Sequence, residues 1–395
     1  MKMRKYHNLP IIILAVSLLF FFTSTASAKT VTFEKEYTYQ ASEIDSKVSS
    51  RAIALEQVKR LLLEEVGVYL ISETEVKDFK LTKDQVTVLT AGIVSAEILQ
   101  EKWDGVTYYM KAKISADPDE VAKSVKTIGA DKQKTKELEE SRKKAKDAME
   151  EIERLKKEIT GFKQSTKQQK EYATAVKELS AAGWFEKGLN LGKSGNYKEA
   201  INAYTKAIEL TQDAAAYYNR GIAYYKLGNY KQAINDYSKT IQLDPQDAVA
   251  YYNRGIAYGK LGKYQQQIND YNKTIQLDPQ DAIAYNNRGI AYGELGNHQQ
   301  AMNDFTKAIE LNPQYADAYN GRGFSYFKLG NYQQAINDCS KAIQLNPQDA
   351  MAYKNRGIAY DELGNEQKFM ADIKIAAKLG LKQAQDFLRQ QKINW

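Results

Sequence analysis

Apolar residues change their period along the chain, and each period predicts a different element. In "VTFEKEYTY", Val31 to Tyr39, they alternate with polar ones, the pattern of a half-buried strand. "SKVSSRAIALEQVKRLLLEEVGVYL" then places Ile53, Val58, Leu61, Leu62 and Val66 at helical spacing, and "TKDQVTVLTAGI" carries a second, shorter helical pattern. "SAEILQEKWDGVTYYMKAKISA" is two alternating runs joined by Asp104-Gly105, a hairpin turn pair. "DPDEVAKSV" opens another helix, with Pro118 in its first turn. Residues 29–130 therefore read as a small α+β domain.

Residues 131–178 are a different material, dense in Lys and Glu and free of proline. Leu138, Ala145, Ile152 and Ile159 recur every seven residues, with Ala148, Leu155 and Phe162 three further on in their heptads. That is an a/d seam, the pattern of a coiled coil. Two readings follow from it. Residues 131–165 dimerise with a second copy, or they form one charged helix that spaces two domains or folds back on one of them. Ala145 and Ala148 in the seam and Gly161 near its end weaken the first reading.

Beyond residue 180 one phrase returns. "YNNRGIAYGELGN" at Tyr285 is matched by "YYNRGIAYYKLGN" at Tyr217, "YYNRGIAYGKLGK" at Tyr251, "YNGRGFSYFKLGN" at Tyr319 and "YKNRGIAYDELGN" at Tyr353. Gly188, Gly221, Gly255, Gly289, Gly323 and Gly357 mark six units spaced by 33 residues and then by 34. In the fourth, "AIAYNNRGIAYGELG" forms a helix A and "HQQAMNDFTKAIEL" a helix B. Pro245, Pro279, Pro313 and Pro347 close their units. A glycine in mid-helix costs about 1 kcal/mol relative to alanine. Its return in every unit predicts a close approach of helix B there, with Ala301 and Ala308 as small partners and Tyr285, Tyr292 and Phe305 filling the layer.

This order of residues resembles the tetratricopeptide repeat, over 181–380, in units 181–213, 214–247, 248–281, 282–315, 316–349 and 350–380. "KQAQDFLRQQ", within 381–395, reads as a helix capping the stack. The expected fold is mainly α: an α-solenoid, a right-handed superhelix of helix pairs, preceded by the charged helix or coiled coil and the α+β domain. The resemblance implies a concave groove lined by A helices that binds a peptide or protein, and no catalysis by the repeats.

Within the repeated phrase, Arg and Asn separate. Arg220, Arg254, Arg288, Arg322 and Arg356 are each followed sixteen residues later by Asp236, Asp270, Asp304, Asp338 and Asp372; unit 1, with Lys187 and Ala203, lacks both. Joint presence and joint loss predict an Arg–Asp ion pair within each unit. Asn219, Asn253, Asn287 and Asn355 have no matched acid. A primary amide both donates and accepts, as a peptide group does. Resemblance to peptide-binding superhelices suggests an asparagine ladder gripping a peptide backbone, with gaps at Glu186 and Gly321; the alternative is that these amides cap local backbone or face water. On the ladder reading, Tyr218, Tyr252, Asn286, Asn320, Phe324 and Phe327 join the candidate peptide-binding surface. Replacing Asn219, Asn253 and Asn287 by Ala is then expected to weaken capture while leaving the melting temperature nearly unchanged.

Composition adds limits. Net charge is +7, and Lys2, Arg4 and Lys5 supply part of it; the remainder is scattered, which speaks against nucleic acid as a partner. "MKMRKYHNLP", "IIILAVSLLFFF" and "TSTASA", within 1–28, have the basic, apolar and small-residue order of a signal peptide, with cleavage expected after Ala28. The expected location is periplasmic or secreted, in a bacterial envelope, without stable membrane insertion after cleavage. Cys339 is the only cysteine, so no intrachain disulfide forms. With two histidines, His7 and His298, and no metal-ligand spacing, neither a metal nor a cofactor nor catalysis is expected. "SSRAIALEQVKRLLLEEVG" resembles a small α+β module of bacterial envelope and flagellar-assembly proteins, from which no activity is carried over. The expected function is that of a non-enzymatic adaptor. The alternatives are an enzyme or ligand-binding site within 29–128 served by recruiting repeats, and a structural spacer.

Overall fold

A computed structural model describes residues 30–42, 44–73, 81–158 and 166–395. The signal-peptide reading of 1–28 and the seam positions Ile159, Gly161 and Phe162 lie outside the described residues. The N-terminal part contains β1 (Val31–Gln40), α1 (Lys47–Glu73), α2 (Lys83–Ala91), β2 (Glu97–Trp103), β3 (Thr107–Ala116), α3 (Pro118–Ala130) and α4 (Lys132–Glu158). The strands form one antiparallel sheet in the order β1-β3-β2. The β2–β3 hairpin turns at Asp104-Gly105: Asp104 Oδ1 accepts from the backbone N–H groups of Val106 and Thr107, and Gly105 has φ 100°. Asp117 caps α3, with Pro118 at its first position, where a missing N–H is harmless.

The alternation expected of β1 and β3 decides their faces. Tyr39, Met110, Ala112 and Ile114 turn inward onto Ile53, Ala54, Val58 and Leu62 of α1, while Glu34–Lys111 and Glu97–Lys113 pair on the outer face. The charged segment is α4, supported along its wet side by Lys136–Glu140, Lys146–Glu150 and Arg154–Glu158 at i,i+4. Its seam is filled by its own chain. Leu138, Ala145, Ala148, Ile152 and Leu155 are all buried in the core shared with α1, α2 and α3. Each large seam residue contributes roughly 1.5–3 kcal/mol by leaving water. Of the two readings of this seam, its described positions follow the second: they pack within one chain, and α4 folds back.

Its partner on the other side is α5 (Thr166–Lys193), antiparallel to it and longer than the expected first helix A, which began near residue 181. α5 pairs with α6 (Tyr197–Thr211). The remaining units are α7 (Ala214–Lys226) with α8 (Tyr230–Leu243), α9 (Ala248–Lys260) with α10 (Tyr264–Leu277), and α11 (Ala282–Glu294) with α12 (His298–Leu311). They continue with α13 (Ala316–Lys328) and α14 (Tyr332–Leu345), then α15 (Ala350–Glu362) and α16 (Glu366–Lys378). α17 (Lys382–Gln390) closes the stack by burying Ala384 and Leu388 against Ile373, Ala376 and Ala377.

The layer glycine has a steric cause. A Cβ on Gly289 would stand 3.0–3.1 Å from the Phe305 ring of the facing B helix, tighter than a well-packed contact. Three pairs of neighbouring A helices, α5 with α7, α11 with α13 and α13 with α15, pack on one another more extensively than any successive B helices do. The A helices therefore form the inner face of the stack.

Candidate binding surface

Each arginine of the row stands on an A helix one place before the layer glycine. Its Nε and Nη2 donate to both carboxylate oxygens of the aspartate sixteen residues on, at 2.6–2.9 Å, for Arg220–Asp236, Arg254–Asp270, Arg288–Asp304, Arg322–Asp338 and Arg356–Asp372. The third nitrogen reaches further than the sequence indicates. Nη1 donates to Thr205, Ser238, Asn272, Thr306 and Ser340, on the B helix of the preceding unit. Each guanidinium also lies 5.4–5.6 Å from the ring of the tyrosine one turn earlier. One side chain thus joins three helices of two units. A bidentate, largely buried pair of this kind is worth more than a surface pair because little water competes for it. Burial outweighs the pull of Arg254 at Asp270, whose carboxyl is held above the usual range.

The asparagines are not a row of free amides. Asn253 Nδ2 donates to Tyr218 Oη and Asn287 Nδ2 to Tyr252 Oη, each at 2.8 Å, and Asn355 Nδ2 donates to Asn320 Oδ1 at 2.8 Å. Their partners lie 35 residues upstream, in the preceding unit, so none has a partner within its own unit. Tyr218, Asn219, Asn286 and Asn355 are buried, and Tyr252, Asn253, Asn287 and Asn320 are half-buried. Candidates for touching a peptide are thereby placed in the joints between units. The gap at Gly321 also has a cause: a Cβ there would meet the Phe305 ring at 2.6 Å. Phe324 and Phe327 stack at 6.4 Å, half-buried, with Lys328 Nζ 5.3 Å from the Phe324 ring.

Unit 2 departs from this scheme. The residue that would receive its amide is Phe185, which has no hydroxyl. Asn219 Nδ2 instead donates to Glu137 Oε2 of α4 at 2.8 Å, and to Ala215 O. In unit 1 the same column holds Glu186, which accepts from Arg142 of α4 at 3.1 Å; Arg142 also donates to Glu56 of α1 at 2.9 Å, and Lys59 stands 3.6 Å from Glu186. Lys144 pairs with Asp213 at the start of α7. α4 therefore occupies the inner face of units 1 and 2. Burial raises the Glu56 carboxyl above its ordinary range, against the pull of Arg142 and Lys59. A second buried carboxylate, Asp45, ties the far end of the α4–α5 hairpin to the sheet through Tyr39, Tyr172, Ser42 and Lys156. None of these α4 contacts was read from the sequence; the one signal was Glu186, an acid in a column of amides.

The inner face also exposes apolar residues. Val249 is 40% exposed, Ile283 52%, Ile290 47% and Met351 42%, all on A helices of units 3, 4 and 6. Val249, Ile283 and Met351 share one column that is Ala182 and Ala215 in units 1 and 2 and Asp317 in unit 5. Comparing that column down the repeats would have found them. Among the described residues no group of His, Cys, Asp or Glu is placed to hold a metal ion, and no helix is long and apolar enough to cross a membrane.

Helix pairs repeated at this period, with a small residue of A against a ring of B, define a tetratricopeptide-repeat solenoid. The family description "TPR repeat" matches residues 188–228, 221–262 and 258–296, and "Tetratricopeptide repeat" matches 282–315 and 316–349. The chain is a tetratricopeptide-repeat protein across these units. A crystal structure of MamA is 30% identical, covering 42% of this chain and 96% of that one, with a TM-score of 0.39. YrrB, described as a TPR protein with an unusual peptide-binding site, is 22% identical, covering 48% and 99%, with a TM-score of 0.41. PilF of Pseudomonas aeruginosa is 18% identical, covering 54% and 99%, with a TM-score of 0.46. No curated protein matches the chain.

Proposed function

We propose that this protein is a non-enzymatic adaptor of a bacterial cell envelope, and that units 3 to 6 hold an apolar face of a partner protein or peptide. The single observation that carries the reading is the exposed Val249, Ile283, Ile290 and Met351 on inner A helices, beyond the part of that face already covered by α4. Tetratricopeptide repeats serve as protein-interaction scaffolds, which supports the adaptor reading. The envelope location rests on the order of basic, apolar and small residues in 1–28. The grip is apolar contact, with the amide joints as scaffold behind it.

The test is affinity capture from envelope extract with the parent chain and with Ile283→Glu/Ile290→Glu. The same partner should be retained by the parent and lost by the variant, with both melting alike; equal retention would refute the reading. The spacer alternative, an inner face with no outside ligand, is favoured by the α4 contacts for units 1 and 2 alone.

A further inference from the structure

A second site lies away from the exposed apolar residues, where α4 meets the first two units. There a cleft of about 320 Å³ opens between α4, α5, the end of α6 and the start of α7. That volume is at the small end of ligand pockets and suits one side-chain-sized group. Its floor is apolar, made of Ala181, Ala182, Phe185 and Ala207, and the small residues create the space. Its walls are acidic. Among the lining residues, Glu137, Glu140, Asp147, Glu178 and Asp213 stand with one base, Lys144, in a chain whose net charge is +7.

Several of these carboxylates already have partners. Glu137 accepts from Asn219, Glu140 lies 3.8 Å from Lys136, and Asp213 holds Lys144. Asp147 and Glu178 make no ion pair among the described residues. A second and independent observation comes from Ser141, which also lines the cleft. It is 5% exposed, and its hydroxyl has no hydrogen-bond partner. A buried hydroxyl without a partner is uncommon and calls for a group that completes it. Carboxylates accept only, so the missing group must bring donors and positive charge. A metal ion does not fit, because no set of acids among the described residues converges at ligand distance. An organic cation does: its head can lie between separated carboxylates while its stem covers the alanine floor. Lys144 on Asp213 shows the chain itself satisfying one of these acids in that way.

We propose that this cleft binds an alkylammonium or guanidinium head on a short aliphatic stem, either a Lys or Arg side chain presented by a partner or a free organic amine.

Two probes distinguish the sources, cadaverine and N-acetyl-lysine methylamide, titrated into the full chain by calorimetry and by NMR. Saturable binding of either supports the site. Binding of the capped lysine alone names a peptide as the source, and binding of cadaverine alone names a free amine. Affinity should fall with added salt. It should fall at least about tenfold in Asp147→Asn/Glu178→Gln, which removes two attractive charges. Ala181→Leu should abolish it by filling the floor, and the melting temperature of the charge variant reports that the fold survives. The proposal is overturned if neither probe saturates, if the charge variant binds as the parent does, or if N-acetyl-norleucine methylamide binds equally well. Ile283→Glu/Ile290→Glu should leave this binding unchanged, so its failure and that of the adaptor reading are separate results.

Discussion

Asn219 on α7 and Glu137 on α4 are 82 residues apart and share a hydrogen bond of 2.8 Å. In later units the same amide is spent on a hydroxyl or amide of the unit before, as with Asn253 and Tyr218. Phe185 breaks that series by offering no hydroxyl, and an acid from outside the repeats takes the vacated donor. Loss of one oxygen in unit 1 therefore accompanies the docking of α4 on that end of the stack.

The asparagine column is a structural joint, which reverses one expectation. Asn253→Ala should lower stability by about 1 kcal/mol, the typical net worth of one such bond, rather than leave it unchanged. Urea denaturation followed by circular dichroism measures this. A midpoint identical to the parent would show that the bond to Tyr218 contributes nothing.

Arg288 and Asp304 should behave as one unit. Removing either alone, as Arg288→Met or Asp304→Leu, leaves a largely buried charge unpaired and is expected to cost about 3 kcal/mol or more. Removing both should cost well under the sum, giving a coupling energy of a few kcal/mol in the double-mutant cycle. Additive costs would mean that the two side chains do not depend on each other. Because Arg288 Nη1 also holds Asn272, the arginine variant should be the more damaging single change.

Much of this architecture was legible because it repeats. The period located the layer glycines, the rings they face and the Arg–Asp pairs, since one column could be compared with another. The hairpin was legible from Asp104-Gly105 for a local reason: a short turn needs a residue with φ > 0. What could not be read is what happens once. The heptads of α4 state that one face is apolar but not what covers it, and a seam meeting another helix of its own chain has the same pattern as one meeting a second copy. The partners of the Asn column could not be read because they lie one unit upstream, whereas a comparison made within a unit shows only Asp236, Asp270 and their equivalents. Exposure of Ile283 and Ile290 likewise depends on how units stack.

Cys339 should be inert in the folded chain. It is fully buried in the place that Phe305 holds one unit earlier, and burial pushes its thiol up to about 12. The reactive thiolate is then scarce at pH 8, where an unfolded cysteine near 8.5 is substantially ionised. Labelling by a thiol reagent should be slow in buffer and rapid in denaturant. Fast labelling of the native chain would place Cys339 at the surface or show that unit 5 opens readily.

The junction of the N-terminal domain with the repeats rests on Arg142, which donates to Glu56 and Glu186 at once. Arg142→Met would leave two buried carboxylates facing each other without their shared cation, and a cost of about 3–5 kcal/mol is expected. Glu56→Gln is a milder change, since a glutamine oxygen still accepts from Arg142 and Glu186 still supplies a charge. It also tests the sign of the titration. Burial raises the folded-state affinity of Glu56 for its proton. The associated stability is fully present below the unfolded value of about 4.3 and is lost as pH rises through the folded value. Glu56→Gln removes that loss, so its stability relative to the parent should improve from pH 4 toward pH 8. Urea midpoints of parent and both variants at the two pH values decide the matter. If Arg142→Met were as mild as Glu56→Gln, or if Glu56→Gln tracked the parent at both values, the buried triad would not be what fastens α4 to unit 1.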